Sequence, residues 1–158
     1  MHAILPDAAM VAELAAVTGE LHSTVPAVAN ATSFDAKLVS KLFVTDSSAQ
    51  IADLWDARIA CLATAPSAEA LVALVEAACE AARPIVVIAP RIDEGALALL
   101  AANRLRGLIE AAAVTAEPPV IAAIARHLGV AVIDGDITLA ATGSARRTIA
   151  AAATLVLA

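Results

Sequence analysis

The hydrophobic pattern of the chain is clearest between residues 81 and 107. Residues 85–88 (IVVI) form a β-branched run after Pro84, and such a run is typical of a short strand that is buried on both faces of a sheet. Asp93 or Glu94 can cap the start of a helix, apolar residues fill most of the following positions, and Gly107 stands where that helix should end. The pattern therefore predicts an interior strand, an acidic turn and a helix.

Two more helices are predicted upstream of this stretch. Residues 6–17 have apolar side chains at near-helical spacing and are followed by Gly19, which predicts a short amphipathic helix whose apolar face has no assigned partner. Residues 20–33 hold polar residues and proline among valines, and predict an extended or loop segment. Residues 67–81 predict a longer helix with one apolar face, made of Ala70, Leu71, Leu74, Val75 and Ala78.

The rest of the chain alternates between strand and helix patterns, so the predicted class is α/β, with mixed sheets flanked by helices. The predicted strands are 42–44, 51–54, 57–62, 108–115 and 130–133, the remaining helix is 120–128 with Gly129 at its end, and residues 145–157 predict a closing strand or hairpin.

Composition limits the classes of protein that fit. The chain has 158 residues, enough for one domain with a sizeable core. Its hydrophobic fraction of 61% is largely alanine, and no uncharged apolar run approaches the roughly 18 residues that a spanning helix needs. The first residues lack a basic region and include Asp7 and Glu13, which argues against a signal peptide. We therefore expect a cytoplasmic protein that does not associate with membranes.

Charge and motifs indicate neither nucleic-acid binding nor catalysis. The net charge is −6, and the ten basic residues are not interleaved with aromatic ones. Cys61 and Cys79 have no CxxC spacing, so buried free thiols are expected rather than a disulfide or a metal site. No G-x-S-x-G elbow and no phosphate-binding glycine motif is present. The prediction is a non-enzyme without a metal or cofactor.

Three smaller features have simple structural interpretations. Arg146 and Arg147 are expected to be a solvated pair at the start of a strand, and residues 134–136 (DGD) a turn, because a calcium loop needs more oxygen ligands in register. His127 is expected to be exposed or to cap a helix end.

Five segments, taken in order, resemble the apical (substrate-binding) domain of GroEL-type group I chaperonins. RPIVVIAPRIDEGALALLAANRLRG is similar to the family's central strand, acidic turn and helix. The other four are FDAKLVSKLFVTD, PSAEALVALVEAACEAARP, AAAVTAE and GSARRTI, and together they cover about residues 32–158. The resemblance is to a divergent, trimmed and free-standing domain.

This resemblance implies an apical-domain-like fold of the swivelling β/β/α type. It divides the chain into an N-terminal extension (residues 1–31) and an apical-like domain (residues 32–158). Nothing resembles the family's nucleotide-binding loop or the catalytic aspartate of its intermediate domain, so ATP binding is not implied.

The resemblance also implies a polypeptide-binding site. In the family, this domain binds non-native polypeptides and a mobile loop of the co-chaperonin in an apolar groove between two helices. Nine positions carry over and are called the predicted groove below: Leu38, Leu42, Phe43, Val72, Val75, Leu97, Ala101, Ala102 and Asn103.

Four of these positions differ from the family's pattern. Leu38 and Leu42 replace tyrosines, and Ala101 and Ala102 replace valines. Each change from valine to alanine removes two carbons, or about 1.5 kcal/mol of potential burial at ~0.8 kcal/mol per CH₂. We therefore expect a shallower groove that binds more weakly or takes a narrower ligand.

Two main function hypotheses follow. The first is ATP-independent binding of unfolded polypeptide segments, or of a peptide-like loop of a partner protein. The alternative is a non-enzymatic interaction or structural module whose groove mediates self-association, as a homo-oligomer, or binds one dedicated partner. The N-terminal helix of residues 6–17 is a candidate occupant of the groove in its own chain or in a neighbour's. The apolar helices also have a simpler interpretation as ordinary core, and a small-molecule enzyme on a reused scaffold has no residue constellation behind it.

Overall fold

A seven-stranded mixed sheet forms the centre of the protein in a computed structural model that describes residues 3–158. The strand order is β1-β7-β6-β3-β4-β5-β2. The strands are β1 (Thr32–Asp35), β2 (Lys37–Leu38), β3 (Ala52–Cys61), β4 (Ile85–Ala89), β5 (Ala111–Thr115), β6 (Gly143–Ala150) and β7 (Thr154–Leu157), and the helices are α1 (Ala8–Ala15), α2 (Ala68–Ala81), α3 (Glu94–Leu105) and α4 (Pro118–Leu128). The predicted class, α/β with a mixed sheet flanked by helices, is confirmed.

The parallel part of the sheet is built from two successive strand-helix-strand units. β3, β4 and β5 run parallel, with α2 and α3 as their connections, and all five residues of β4 are buried. Side chains of β4 therefore need cover on both faces of the sheet. α2 and α3 pack against each other, and the right-handed rule for parallel connections places both on one face of the sheet. α4 packs against β3, β4 and β6. The prediction of an interior strand at 85–88 is confirmed.

One extended segment joins the two edges of the sheet. β1 pairs with β7 and β2 pairs with β5, yet only Ala36 separates β1 from β2. Just beyond it, the Leu38 N–H donates to the Ala151 carbonyl (2.9 Å) and the Val39 N–H donates to the Ala113 carbonyl (3.0 Å). Residues 32–39 thereby tie the antiparallel half of the sheet to its parallel half.

Local signals place most helix ends. Asp7 Oδ1 accepts from the Met10 N–H at 2.8 Å and starts α1, and Ser67 Oγ accepts from the Ala70 N–H at 3.1 Å and starts α2. Gly129 ends α4 in the left-handed conformation, with φ 74°. Asp93 lies at the N-cap of α3 but makes no capping bond, and its carboxylate forms an ion pair with Arg91.

Several predicted strands are wrong in detail. Residues 42–44 are not a strand, because Lys41–Phe43 form a 3₁₀ turn that begins at a Ser40 cap. The separate strands predicted at 51–54 and 57–62 are one strand, β3, which continues past Asp56 at φ 56° because both halves pair with β6.

The other differences lie at the ends of elements. The strand predicted at 130–133 is a single bridge between Ile133 and Leu62, and the strand predicted at 108–115 starts at Ala111. α1 ends at Ala15 rather than next to Gly19. Residues 145–157, predicted as a closing strand or a hairpin, form a hairpin. Among residues 3–158, none of the helices has the length and apolar character needed to cross a membrane.

A close contact between α4 and β6 gives a test of this packing. A Cβ built on Gly143 would lie 2.9 Å from Leu128 Cβ, an atom that cannot move without its backbone. We expect Gly143→Ala to lower the free energy of unfolding by about 1–3 kcal/mol, the usual cost of overpacking, as measured by urea unfolding.

Gly95 in the first turn of α3 is the matched control. Its added Cβ would meet nothing closer than the Ala68 Cβ at 3.8 Å. Gly95→Ala should therefore leave stability unchanged or raise it by up to about 1 kcal/mol, since alanine favours helix. Equal effects of the two substitutions would contradict the contact between α4 and β6.

Candidate functional site

The helix α3 is apolar around its whole circumference and needs cover on every side. Residues 98–103, more than a full turn, are all buried. α3 packs against α2 and β5, against the 3₁₀ turn Lys41–Phe43, and against α1. A helix without a polar face is stable in water only when it is surrounded. Each of these neighbours, including the N-terminal helix, is therefore part of its cover.

Asn103 is the polar residue within this buried stretch, and its side chain holds the N-terminal segment. The residue is 0% exposed. Its Oδ1 accepts from the Ile4 N–H at 2.8 Å, and its Nδ2 donates to the Ile4 carbonyl at 3.0 Å and to the Leu99 carbonyl at 2.7 Å. The side-chain amide thus pairs with both backbone groups of Ile4, as a neighbouring strand would. These hydrogen bonds therefore recognise the backbone of Ile4 and not its side chain.

The segment before the sheet lies on α3 of its own chain, and residues 3–21 are called the N-terminal arm below. Ala3 and Leu14 pack against the main core. No residue of α1 is buried, however, and the Leu5 side chain is 66% exposed. The arm therefore covers α3 through a half-exposed stripe.

The arm is anchored to the body of the protein just after residue 21. The Ser23 hydroxyl donates to the Gln50 carbonyl at 2.6 Å and accepts from the Ala152 N–H at 3.0 Å. The Thr24 N–H donates to the Ala49 carbonyl at 2.8 Å. These bonds fix the chain at residues 22–24 independently of its contact with α3.

Arg104 holds the 3₁₀ turn against the end of α3. Its guanidinium donates to the Leu42 carbonyl and to the Val44 carbonyl, each at 2.9 Å. Arg104 Nε also lies 3.1 Å from Glu110 Oε1 in an ion pair, and the Arg104 side chain is only 17% exposed. A cation at this position also favours the negative end of the helix dipole. The turn is therefore tied to the same helix that carries Asn103.

The nine positions of the predicted groove lie near one another, but most are covered. Leu97, Ala101, Ala102 and Asn103 lie on α3, Val72 and Val75 lie on the adjacent α2, and Leu42 and Phe43 lie in the 3₁₀ turn, whereas Leu38 belongs to β2 at the edge of the sheet. Three are partly exposed, namely Leu42, Val72 and Leu97, and the other six are buried. In this structure they line a covered surface rather than an open cleft.

Sequence reasoning missed two residues of this surface. Neither Arg104 nor Ile4 is predicted from the sequence to belong to it. A signal for the second was present, because α3 has no polar face between residues 96 and 102 and the N-terminal helix had an apolar face without a partner. No comparable signal marks the carbonyls that Arg104 binds, since every residue has one.

Other reactive side chains in the described part of the chain do not assemble into a second site. Burial raises the pKa of the Cys61 thiol to about 11, which keeps it protonated at neutral pH, while Cys79 is half-buried. His127 makes an edge contact with Phe34 at 5.6 Å between ring centres. Among residues 3–158, no group of three or more His, Cys, Asp or Glu side chains is placed to hold a metal ion.

The predicted arginine pair is solvated at only one of its two members. Arg146 is exposed, but Arg147 makes a two-bond ion pair with Asp53, at 3.0 and 2.8 Å, and lies 4.9 Å from the centre of the exposed Trp55 ring. Arg147 and Asp53 project from the paired strands β6 and β3, which brings their side chains together.

No protein-family model matches the chain. A functional assignment therefore rests on the geometry of the α3 surface and on the sequence resemblance.

The contact between Asn103 and Ile4 can be tested by hydrogen exchange. We expect Asn103→Ala to speed exchange of the Ile4 amide and of the α1 amides by at least about tenfold, because net hydrogen bonds contribute roughly 0.5–1.5 kcal/mol each and two of those bonds are to the arm. Amides of β4 should stay protected.

Ser23→Ala is the matched control, because it also removes two bonds that tie the N-terminal region to the body. It should speed exchange at Thr24 and leave the Ile4 amide protected. An Ile4 amide that exchanges at the same rate in Asn103→Ala as in the wild type would contradict the observed pairing.

Proposed function

We propose that the protein binds non-native or extended polypeptide segments, without ATP, on the apolar surface formed by α3, α2 and the 3₁₀ turn. The observation that carries this proposal is the pairing of the buried Asn103 amide with both backbone groups of Ile4. An extended apolar segment already lies on α3 in the manner in which a bound peptide would. Because every residue offers the same N–H and C=O, such a contact tolerates many sequences.

The apolar part of the surface supplies the preference for unfolded segments. Leu97 on α3, Val72 on α2 and Leu42 in the turn are each partly exposed and contact the core. Full burial of an exposed side chain of this size contributes about 1.5–3 kcal/mol, and completing the burial of these partly buried side chains contributes a fraction of that. Folded proteins rarely expose large contiguous apolar patches, so an apolar surface selects chains that have not folded.

The fold supports a relationship to the apical domain of group I chaperonins, which we include in the proposal. The two helices that resemble the family's groove helices are adjacent here and lie on the same face of a mixed sheet. Ala101 and Ala102 are completely or almost completely buried, so neither lines an open groove in this structure.

Self-association is a second candidate function, and one observation favours it. The segment that lies on α3 belongs to the chain itself and has no buried residue in its helix. The same segment of another copy would make identical contacts, as in domain exchange. The groove would then join two copies instead of holding a client.

The chaperone proposal is tested by aggregation of a chemically unfolded client protein. We expect a stoichiometric amount of the wild type to delay aggregation, and Leu97→Ser to remove most of that protection, because a polar side chain would replace a partly exposed apolar one on α3. Light scattering measures both effects, and thermal unfolding of each variant checks that it remains folded.

Leu105→Ser provides the comparison on the same helix. Leu105 is 55% exposed at the end of α3 and is outside the predicted groove, so its substitution should leave protection unchanged. Absence of protection by the wild type, or equal loss in both variants, would count against binding at the groove.

Self-association is tested by the mass of the protein in solution. Size-exclusion chromatography with light scattering should show a dimer that forms as concentration rises if arms are exchanged, and Asn103→Ala should weaken it. A monomer at every concentration would exclude this second function.

A further inference from the structure

We infer that the N-terminal arm is a built-in competitor for the α3 surface, and that the polypeptides which displace it share its chemistry. This inference rests on the proposed function. The arm and a client cannot both pair with Asn103, because its Oδ1 and Nδ2 are each bonded to Ile4. Client binding therefore requires the arm to leave.

The arm is held weakly enough to leave. Its contact combines two hydrogen bonds at Ile4 with a stripe of partly buried residues, namely Met10, Val11, Leu14 and Ala15. α2, α3 and α4 each have fully buried side chains, whereas α1 has none. Elements with few buried apolar contacts open at the low end of the range of local stabilities. Detachment of α1 therefore costs far less than unfolding of the sheet.

The arm also stays tethered when it leaves. Bonds at Ser23 and Thr24 fix the chain after the arm, and residues 16–21 between α1 and this anchor have no helix or strand. Six residues span at most about 20 Å when extended. A tether of this length keeps the arm at an effective concentration on the order of millimolar, so only a ligand that competes with that concentration displaces it.

The surface left behind determines what replaces the arm. Without cover, the Asn103 amide would lose two of its three bonds. A replacement must supply a free backbone N–H and C=O in an extended conformation. Segments that are already folded have these backbone groups paired.

The sequence of the arm gives a more specific description of the ligand. Pro6 favours an extended conformation at Leu5, and Asp7 starts the helix directly afterwards by capping Met10. α1 then presents a narrow apolar stripe, made of its partly buried residues Met10, Val11, Leu14 and Ala15. The preferred ligand is therefore an extended segment with free backbone groups, followed within two residues by a proline and then by a short, acid-capped helix with an apolar stripe.

Competition is tested with the full-length chain and a fluorescent peptide of residues 1–17. The Ile4→Pro, Leu14→Asp double variant removes the Ile4 N–H and one packing contact of the arm, and it changes no residue of α2, α3 or the turn. We expect this variant to bind the peptide at least about tenfold more tightly than the wild type, because less of the surface is occupied by the arm.

Leu5→Ser is the control within the arm. Leu5 is 66% exposed, so we expect the Leu5→Ser variant to bind the peptide with the same affinity as the wild type. A peptide that itself carries proline at position 4 should bind the double variant at least about tenfold more weakly than the natural peptide. In the wild type, saturating unfolded client should speed hydrogen exchange of the Ile4 amide.

The outcomes separate the two proposals. Equal peptide affinity in the wild type and the double variant, or an Ile4 amide that stays protected while client binds, overturns the competition and leaves polypeptide binding standing. Failure of both proteins to bind either the peptide or an unfolded client overturns both proposals.

Discussion

The apolar circumference of α3 is the constraint on which the arrangement of the protein depends. One side of this helix packs on the sheet and another on α2, which is the ordinary result of two successive strand-helix-strand units. The remaining sides have no such neighbour in the sheet architecture. They are covered by the 3₁₀ turn and by the N-terminal arm, two segments that precede the parallel strands in the chain. The candidate site is the place where this additional cover is needed.

Two polar side chains on successive residues organise that cover. Asn103 pairs with the backbone of Ile4, and Arg104 binds the carbonyls of Leu42 and Val44. Both contacts are to backbone groups, and an unpaired polar side chain in such a buried place would destabilise the fold. The same chemistry that completes the fold is therefore suited to hold another polypeptide. The surface of α3 thus needs cover for the stability of the fold, and the hydrogen bonds that hold this cover are of the kind that would bind another polypeptide.

The link between the two edges of the sheet also positions a segment that covers α3. Residues 32–39 leave β7 and join β5 with only Ala36 between the two strands. This crossing positions the following 3₁₀ turn over the end of α3, where Arg104 receives it. The resemblance to chaperonin apical domains pointed to this segment as part of a groove, and the connection explains physically how an edge segment reaches the helices.

The sequence by itself determined the elements whose signals are local. These signals act over a few residues. The β-branched run at 85–88 lies in β4, Ser67 is the N-cap of α2, and Gly129 is the C-cap of α4. It also marked α3 as apolar all around and left the N-terminal helix without a partner. Only the tertiary structure decided that these two features satisfy each other, that residues 41–43 turn instead of pairing, and that most of the predicted groove is covered. Those outcomes depend on contacts between residues as far apart as Ile4 and Asn103, and periodicity and capping carry no information about such distances.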